Sequence, residues 1–150
     1  MINFKQYPQM TKCIIPNNVV LTDTNFSEAF SNMYQLKESF LPNNIENMAF
    51  TYYNCYNLTT AVCGDNVTNM DRTYWNCRNL TTAVCGNNVT TMNNTYYDCR
   101  NLTTAVCGNN VTTMRGAYVK CVNLTTAACG DKVTDMDRTY WNCYSITTAV

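Results

Sequence analysis

The stretch Asn57-Leu58-Thr59-Thr60-Ala61-Val62-Cys63-Gly64 is written repeatedly along this chain of 150 residues. It recurs unchanged at 79–86 and 101–108, and with a single substitution at 123–130. The leucine position returns at a constant step of 22 residues, as Leu58, Leu80, Leu102, Leu124 and Ile146. A fixed step of about 20–29 residues is typical of a solenoid, in which one structural unit per repeat stacks on its neighbours.

Within one repeat, the pattern predicts a short strand followed by turns. Apolar and polar residues alternate from Ala61 to Cys63, which is strand chemistry, and Gly64 with Asp65 indicates a turn. Residues 70–77 have helical spacing over only about two turns, which predicts a turn or a short 3₁₀ piece. We therefore expect a right-handed, parallel β solenoid of about seven rungs, mostly strand and turn, with short 3₁₀ or helical turns.

The repeats divide the chain into two regions. Residues 1–12 fit no repeat and predict a leader or cap over the first rung, because a solenoid must hide its apolar end. The solenoid itself spans residues 13–150. Its rungs are divergent over 13–47 and become regular 22-residue repeats over 48–150.

Composition excludes several classes of partner. Ten basic and ten acidic residues give a neutral chain, so we expect no nucleic-acid partner. No apolar run reaches the roughly 18–20 residues of a membrane span. The first residues lack the apolar segment of a secretory signal. We expect a product that is cytoplasmic as synthesised, or one that reaches a virion or cell surface without such a signal.

Nine of the ten cysteines recur in phase with the repeat. One position carries Cys55, Cys77, Cys99, Cys121 and Cys143, and another carries Cys63, Cys85, Cys107 and Cys129. Cysteine recurring like a leucine acts as a small core residue, which predicts free, buried thiols. The chain has no histidine, and the cysteine spacing matches no tetrahedral site, so we expect no metal and no cofactor. No nucleophile or carboxylate pair stands out from the repeat, so we expect no catalytic residues and no enzyme.

The unit from Val89-Thr90-Thr91-Met92 through Thr95-Tyr96-Tyr97-Asp98-Cys99 to Asn101-Leu102 resembles the BspA-like leucine-rich repeat. Ile15-Pro16-Asn17-Asn18-Val19 and Ala29-Phe30 keep further elements of that family's pattern. The likeness covers roughly residues 13–150, although Gly replaces Pro and Tyr replaces Phe in the regular repeats. It implies a ligand-binding or adhesive surface protein without catalytic activity, of bacterial, protist or phage origin.

One candidate binding surface follows from the strands. We expect an exposed, uncharged sheet face formed by Thr60, Val62, Thr82, Val84, Thr104, Val106, Thr126, Ala128, Thr148 and Val150. Thr and Val also suit any parallel strand, so the ladder has a purely structural explanation. The functional alternatives are recognition of a protein or glycan ligand across a flat face and, more remotely, ice binding.

A second candidate is an aromatic column formed by Tyr53, Trp75, Tyr97 and Trp141. It adjoins a core column formed by Tyr52, Tyr74, Tyr96, Tyr118 and Tyr140. Adjacent aromatics cannot both point inward in a tight turn, so part of the first column should be half-exposed and suited to an interface or sugar site. Val119 interrupts the column, and structural stacking remains the competing explanation.

The last rung supplies a third candidate. Ile146, Ala149 and Val150 would expose apolar side chains beside unpaired strand groups, and such edges pair with other chains. A two-fold dimer, docking on a different protein and truncation of a longer array all fit this pattern. The alternative to a binding module is therefore a building block of a larger assembly, such as a phage virion or surface appendage.

Overall fold

Seven short parallel strands organise the molecule. The structure is a computed structural model that describes residues 2–84 and 86–149. For residues 83 and 84 it describes the backbone but not the side chains. The strands are β1 (Lys12–Ile14), β2 (Glu38–Phe40), β3 (Thr60–Val62), β4 (Thr82–Val84), β5 (Thr104–Val106), β6 (Thr126–Ala128) and β7 (Thr148–Ala149). In β5 the central Ala105 is buried between exposed Thr104 and Val106, as the alternating pattern predicts.

The strands form two parallel sheets, ordered β1-β2-β3 and β4-β5-β6-β7. Partners in the regular repeats are 22 residues apart, as in Thr104 and Thr126, whereas Lys12 pairs with Glu38 across the longer first link. No strand pairing joins β3 to β4 in the part of the chain that the structure describes. A second ladder crosses that break and unites the two sheets in one stack; its members are Asn25, Asn47, Asn69, Thr91, Thr113 and Asp135.

The segment that follows each ladder position is a chain of turns. The described residues contain no 3₁₀ or α-helix, so the expectation of short helical pieces is wrong. The reason is a positive φ at two positions four residues apart in each turn segment, for example 54° at Arg72 and 60° at Asn76, which interrupts right-handed helical geometry. Alternate amides bond within the turn and to the next repeat: Cys77 N–H donates to Tyr74 O at 3.0 Å, and Tyr74 N–H donates to Thr95 O at 2.9 Å.

The core column runs through the stack as parallel rings. Neighbouring members of the series Phe30, Tyr52, Tyr74, Tyr96, Tyr118 and Tyr140 have ring centroids 5.3–5.6 Å apart and planes within 10°. The repeat leucines pack beside them, with Leu58, Leu102 and Leu124 fully buried. Each repeat therefore contributes the same side chains to one continuous core.

The buried cysteines have a polar role that the repeat pattern did not reveal. Cys77 Sγ donates to Tyr52 O at 3.2 Å, and Cys99 Sγ donates to Tyr74 O at 3.0 Å. Cys55, Cys121 and Cys143 make the equivalent bond to the carbonyl 25 residues earlier. A thiol is a weak donor, so cysteine fits a site that needs a small apolar side chain facing a carbonyl.

The N-terminal segment adds to the same core. The Phe4 ring stacks on Phe30 with centroids 4.5 Å apart, and Phe4 N–H donates to Ala29 O at 2.9 Å. Phe4 thus contacts Ala29 and Phe30, and the role of residues 1–12 as a leader or cap stays a prediction. No helix among the described residues is long and apolar enough to cross a membrane.

Replacing buried Thr95 by Val is expected to lower the free energy of unfolding by about 1 kcal/mol. Thr95 is fully buried, and its Oγ1 donates to Met70 O at 2.8 Å, so the isosteric change removes a donor from that carbonyl. Urea unfolding followed by circular dichroism measures the effect. Thr112→Val is the matched control, because Thr112 makes a similar bond at an exposed position. Equal losses in the two variants would contradict this role for the buried row.

Candidate functional site

The threonine face is the outer side of strands β3 to β7. Its threonines are all exposed, namely Thr60, Thr82, Thr104, Thr126 and Thr148. Val62 and Val106 are 50% and 44% exposed, and Ala128 is partly buried. The side chain of Val84, and Val150 as a whole, lie outside the described residues. The face is held by backbone pairing, so its side chains have fixed spacing along each sheet.

An adjacent row of threonines buttresses this face. Thr103 Oγ1 donates to Thr81 O at 3.3 Å, and Thr125 Oγ1 donates to Thr103 O at 3.1 Å. Both hydroxyls are thereby anchored to the preceding repeat. The break between β3 and β4 interrupts the face with a hollow of about 300 Å³ whose lining includes Ala61 and Cys63. The threonine face is therefore regular within each sheet and indented where the sheets meet.

The aromatic column is assembled only in part. Tyr53 and Trp75 have centroids 5.9 Å apart, and Trp75 stacks on Tyr97 at 3.9 Å with planes 5° apart. Val119 occupies the next position, is 3% exposed, and presents no ring. Trp141 lies beyond it and is 57% exposed. The structure thus brings three of the four predicted aromatics together and separates the fourth.

A surface groove of about 520 Å³ occupies the interruption. We call it the aromatic groove, because Tyr97 and Trp141 line it on either side of Val119. Gly116 also lines it, at a position where the neighbouring repeats carry Arg72, Asn94 and Arg138. A Cβ built on Gly116 would lie 3.5 Å from a Val119 methyl, so the two small residues adjoin. One repeat has therefore lost two side chains from the same patch of surface.

Charges of both signs surround the aromatic groove. Arg115 Nη2 lies 3.1 Å from Asp137 Oδ2, and the Arg138 guanidinium lies over the Trp141 ring at 5.5 Å. Asp71 Oδ1 accepts the Asn93 N–H at 2.9 Å. These contacts hold carboxylates, guanidinium groups and amides around one space. The groove therefore offers hydrogen-bond donors and acceptors together beside aromatic rings.

An ion-pair cluster around one buried carboxylate, with two half-exposed arginines, was not anticipated from the sequence. The Asp98 side chain is only 5% exposed and lies 2.9 Å from Arg78 Nε and 2.8 Å from Arg100 Nε. The hydrogen bond and charge of Asp98 raise the pKa of Arg100 above its ordinary value. Two repeats carry Asn54 and Asn76 at the position of Asp98, where they bond to the preceding asparagine. The cluster thus replaces one step of an asparagine ladder and has a structural explanation.

The C-terminal edge and the search for metal sites provide less evidence for a functional site. Ile146 is partly buried and Ala149 is exposed, whereas Val150 lies outside the described residues. Among residues 2–84 and 86–149, no three Cys, Asp or Glu side chains come together in a way that could hold a metal ion. These observations leave the threonine face and the aromatic groove as the surfaces with defined chemistry.

Of the two substitutions that create the groove, the sequence analysis recognised only the one at Val119. Val119 is visible as a break in the aromatic column. The coincident loss at Gly116 becomes meaningful only once positions 116 and 119 are known to share a surface. Comparing each repeat with its neighbours at both positions would have identified the groove.

Comparisons with known proteins agree with this architecture. The family model for the BspA type leucine rich repeat region matches in six copies, over residues 2–76 and 27–147. No curated protein is significantly similar in sequence. A leucine rich repeat protein from T. pallidum shares 17% identity and has a TM-score of 0.81, with 94% of this chain and 69% of that chain covered.

Two further solved structures share the fold. A leucine-rich repeat protein from Bacteroides ovatus is 16% identical with a TM-score of 0.61, and the match covers 93% of this chain and 45% of that one. A leucine rich cell surface protein from Faecalibacterium prausnitzii is 19% identical with a TM-score of 0.61, at 94% and 47% coverage. This chain thus spans less than half of either protein. Since the family model covers nearly the whole sequence, the chain belongs to the BspA-type leucine-rich repeat family.

Proposed function

We propose that the chain is a non-enzymatic binding module whose threonine face contacts a protein or glycan ligand. The observation that carries the proposal is the row of exposed threonines Thr82, Thr104, Thr126 and Thr148, held in register on parallel strands with exposed Val106 beside them. Uncharged hydroxyls and methyls cost little to desolvate compared with ionic groups. Such a surface suits a broad, specific contact rather than capture of a small molecule.

The proposal includes the overall shape. A right-handed solenoid of about seven turns is supported by seven strands and by hydrogen bonds that repeat every 22 residues. Stacked repeats give an extended surface of the kind that solenoid proteins use for binding. A location in the cytoplasm, in a virion or at a cell surface is part of the same proposal.

Lysines placed on the threonine face are expected to abolish ligand binding. A Thr82→Lys, Thr104→Lys variant puts two charges and two long side chains where a ligand would need a flat, uncharged contact. Protein and glycan arrays probed with labelled native chain and variant measure the change. We expect at least a tenfold loss of signal for at least one ligand of the native chain, whereas ligands of any other surface keep their signal.

The matched control is a Thr90→Lys, Thr112→Lys variant. Both threonines are exposed and one repeat apart, but they lie outside the strands. Retention of binding in this control assigns the contact to the threonine face. Equal loss in both variants would contradict that assignment. Absence of any ligand for the native chain would favour the alternative, a building block of a larger assembly.

A further inference from the structure

We propose that the aromatic groove is a binding site for a neutral or N-acetylated saccharide. The inference goes beyond the proposed function, because the groove lies in the turn segments and not on the strands. It starts from a local exception in a regular array. Gly116 and Val119 stand where neighbouring repeats place a large polar side chain and an aromatic ring.

The first argument is the shape of the space. At about 520 Å³, the groove falls within the range of about 300–1,000 Å³ found for small-molecule sites. Val119 and Gly116 are both buried at its base, and the rings of Tyr97 and Trp141 line it. A sugar has one face rich in C–H groups, and that face packs on an aromatic ring. Exposed Trp141 offers such a ring next to open volume.

The second argument is the mixture of polar groups. Asp71 and Asp137 are acceptors, the arginines are donors, and Asn93 and Asn94 offer both. Each carboxylate can accept about four hydrogen bonds, so both keep capacity beyond the contacts already described. A hydroxyl both donates and accepts. Neighbouring hydroxyls on a sugar ring therefore match alternating donors and acceptors better than any ligand of one type does.

The third argument is electrostatic. Five charged side chains line the groove, and those of opposite sign lie close together, as Arg115 and Asp137 do at 3.1 Å. A strongly anionic ligand would meet two carboxylates, and a cationic ligand would meet three guanidinium groups. A purely apolar ligand would bury these groups without hydrogen bonds, which is costly. An uncharged polyhydroxylated ligand avoids all three penalties.

Filling the groove with the residues of neighbouring repeats is expected to abolish saccharide binding. The variant is Gly116→Asn, Val119→Tyr. Gly116 has a φ of 60°, and asparagine tolerates this conformation, since Asn94 adopts a φ of 54° at the equivalent site. The new Cβ meets the Oδ1 end of the Asn94 side chain, which can move, and no backbone atom. The added tyrosine is expected to continue the stack of Trp75 and Tyr97 in place of the flexible Lys120 side chain, whose ammonium lies 5.4 Å over the Tyr97 ring. The variant should therefore fold as the native chain does.

The probe is a printed array of glycans ending in hexoses, N-acetylhexosamines, uronic acids and sulfated sugars. We expect the native chain to bind neutral or N-acetylated glycans, and the filled variant to lose at least tenfold in affinity. Titration of the best array glycan is followed by fluorescence of Trp141, in a Trp75→Tyr background that leaves it as the sole indole. Thr90→Lys, at an exposed turn position that lines neither the groove nor the threonine face, should leave saccharide binding unchanged.

Trp141→Ala provides an independent variant, because this exposed side chain can be removed without disturbing the core. It should weaken saccharide binding at least tenfold while the thermal unfolding temperature stays close to that of the native chain. Three results would overturn the proposal: no neutral glycan bound by the native chain, binding unchanged in both groove variants, or binding restricted to acidic glycans that inorganic sulfate displaces.

Discussion

Raising the pH from about 8 to about 10 is expected to lower the free energy of unfolding by about 5 kcal/mol or more. The cause is the column of buried thiols at Cys55, Cys77, Cys99, Cys121 and Cys143. Burial raises the pKa of Cys55 from 9.0 to about 12 and that of Cys143 to about 11. Burial also raises the pKa of Cys77, Cys99 and Cys121 well above 9.0.

The direction follows from proton binding. Below pH 9 these thiols are protonated in both states, so they contribute no pH dependence. Above pH 9 the unfolded chain releases protons that the folded chain retains, and unfolding becomes more favourable. Each thiol contributes a slope of about 1.4 kcal/mol per pH unit, so five give a limiting slope of about 7 kcal/mol per pH unit until their folded-state pKa values are reached.

Urea unfolding at a series of pH values under reducing, oxygen-free conditions measures this effect. The control is Cys99→Ala, which should reduce the slope between about pH 9 and 11 by about 1.4 kcal/mol per pH unit, whatever it does to stability at neutral pH. An unfolding free energy that stays flat from pH 8 to 10 would show that these thiols are not buried. The same burial predicts that few of the ten cysteines react with a thiol reagent before denaturation.

Replacing Tyr96 by Ala is expected to cost about 4 kcal/mol of unfolding free energy. Tyr96 is 1% exposed and lies between Tyr74 and Tyr118, with ring centroids 5.3 and 5.5 Å away. Its removal leaves a cavity in the middle of the core column and uncouples the repeats on either side. Because stability in a repeat array depends on contacts between neighbours, we expect the unfolding transition also to broaden.

Tyr144→Ala is the matched control for the same chemical change. Tyr144 is 77% exposed, so its loss should alter the unfolding free energy by no more than about 0.5 kcal/mol. Chemical denaturation of the three proteins side by side measures both effects. Comparable losses for Tyr96→Ala and Tyr144→Ala would contradict a core built on stacked tyrosines.

Much of the fold could be predicted because the same sequence pattern recurs in every repeat. The Thr-Ala-Val strands and the buried leucines follow directly from the 22-residue step and the alternation of apolar residues. The turns were harder, because residues as different as Phe50 and Arg72 adopt a positive φ there. Such conformations cost of order 1 kcal/mol or more outside glycine and are held by hydrogen bonds to the next repeat, which local sequence cannot reveal.

Two features of the surface could not be predicted from one repeat at a time. The break between β3 and β4 falls between identical sequences, 57–64 and 79–86, so it has no local signal. The aromatic groove depends on two losses in one repeat that only the folded turn places side by side. Sequence reasoning identified the aromatic column and its interruption at Val119, but not the space that the interruption opens.

The constant offset of 22 residues bears on how a gene encoding this protein can change in length. Each strand residue pairs with the same position one unit later, as Thr104 does with Thr126, and turn hydrogen bonds such as that from Tyr74 N–H to Thr95 O recur in each unit. An in-frame duplication or deletion of one unit, such as 57–78, therefore joins surfaces that already fit each other. Gly116 and Val119 both lie within the single unit 101–122. Recombination can thus lengthen the threonine face, whereas gain or loss of the unit 101–122 changes the gap in the aromatic column, whose flanking rings Tyr97 and Trp141 belong to the neighbouring units.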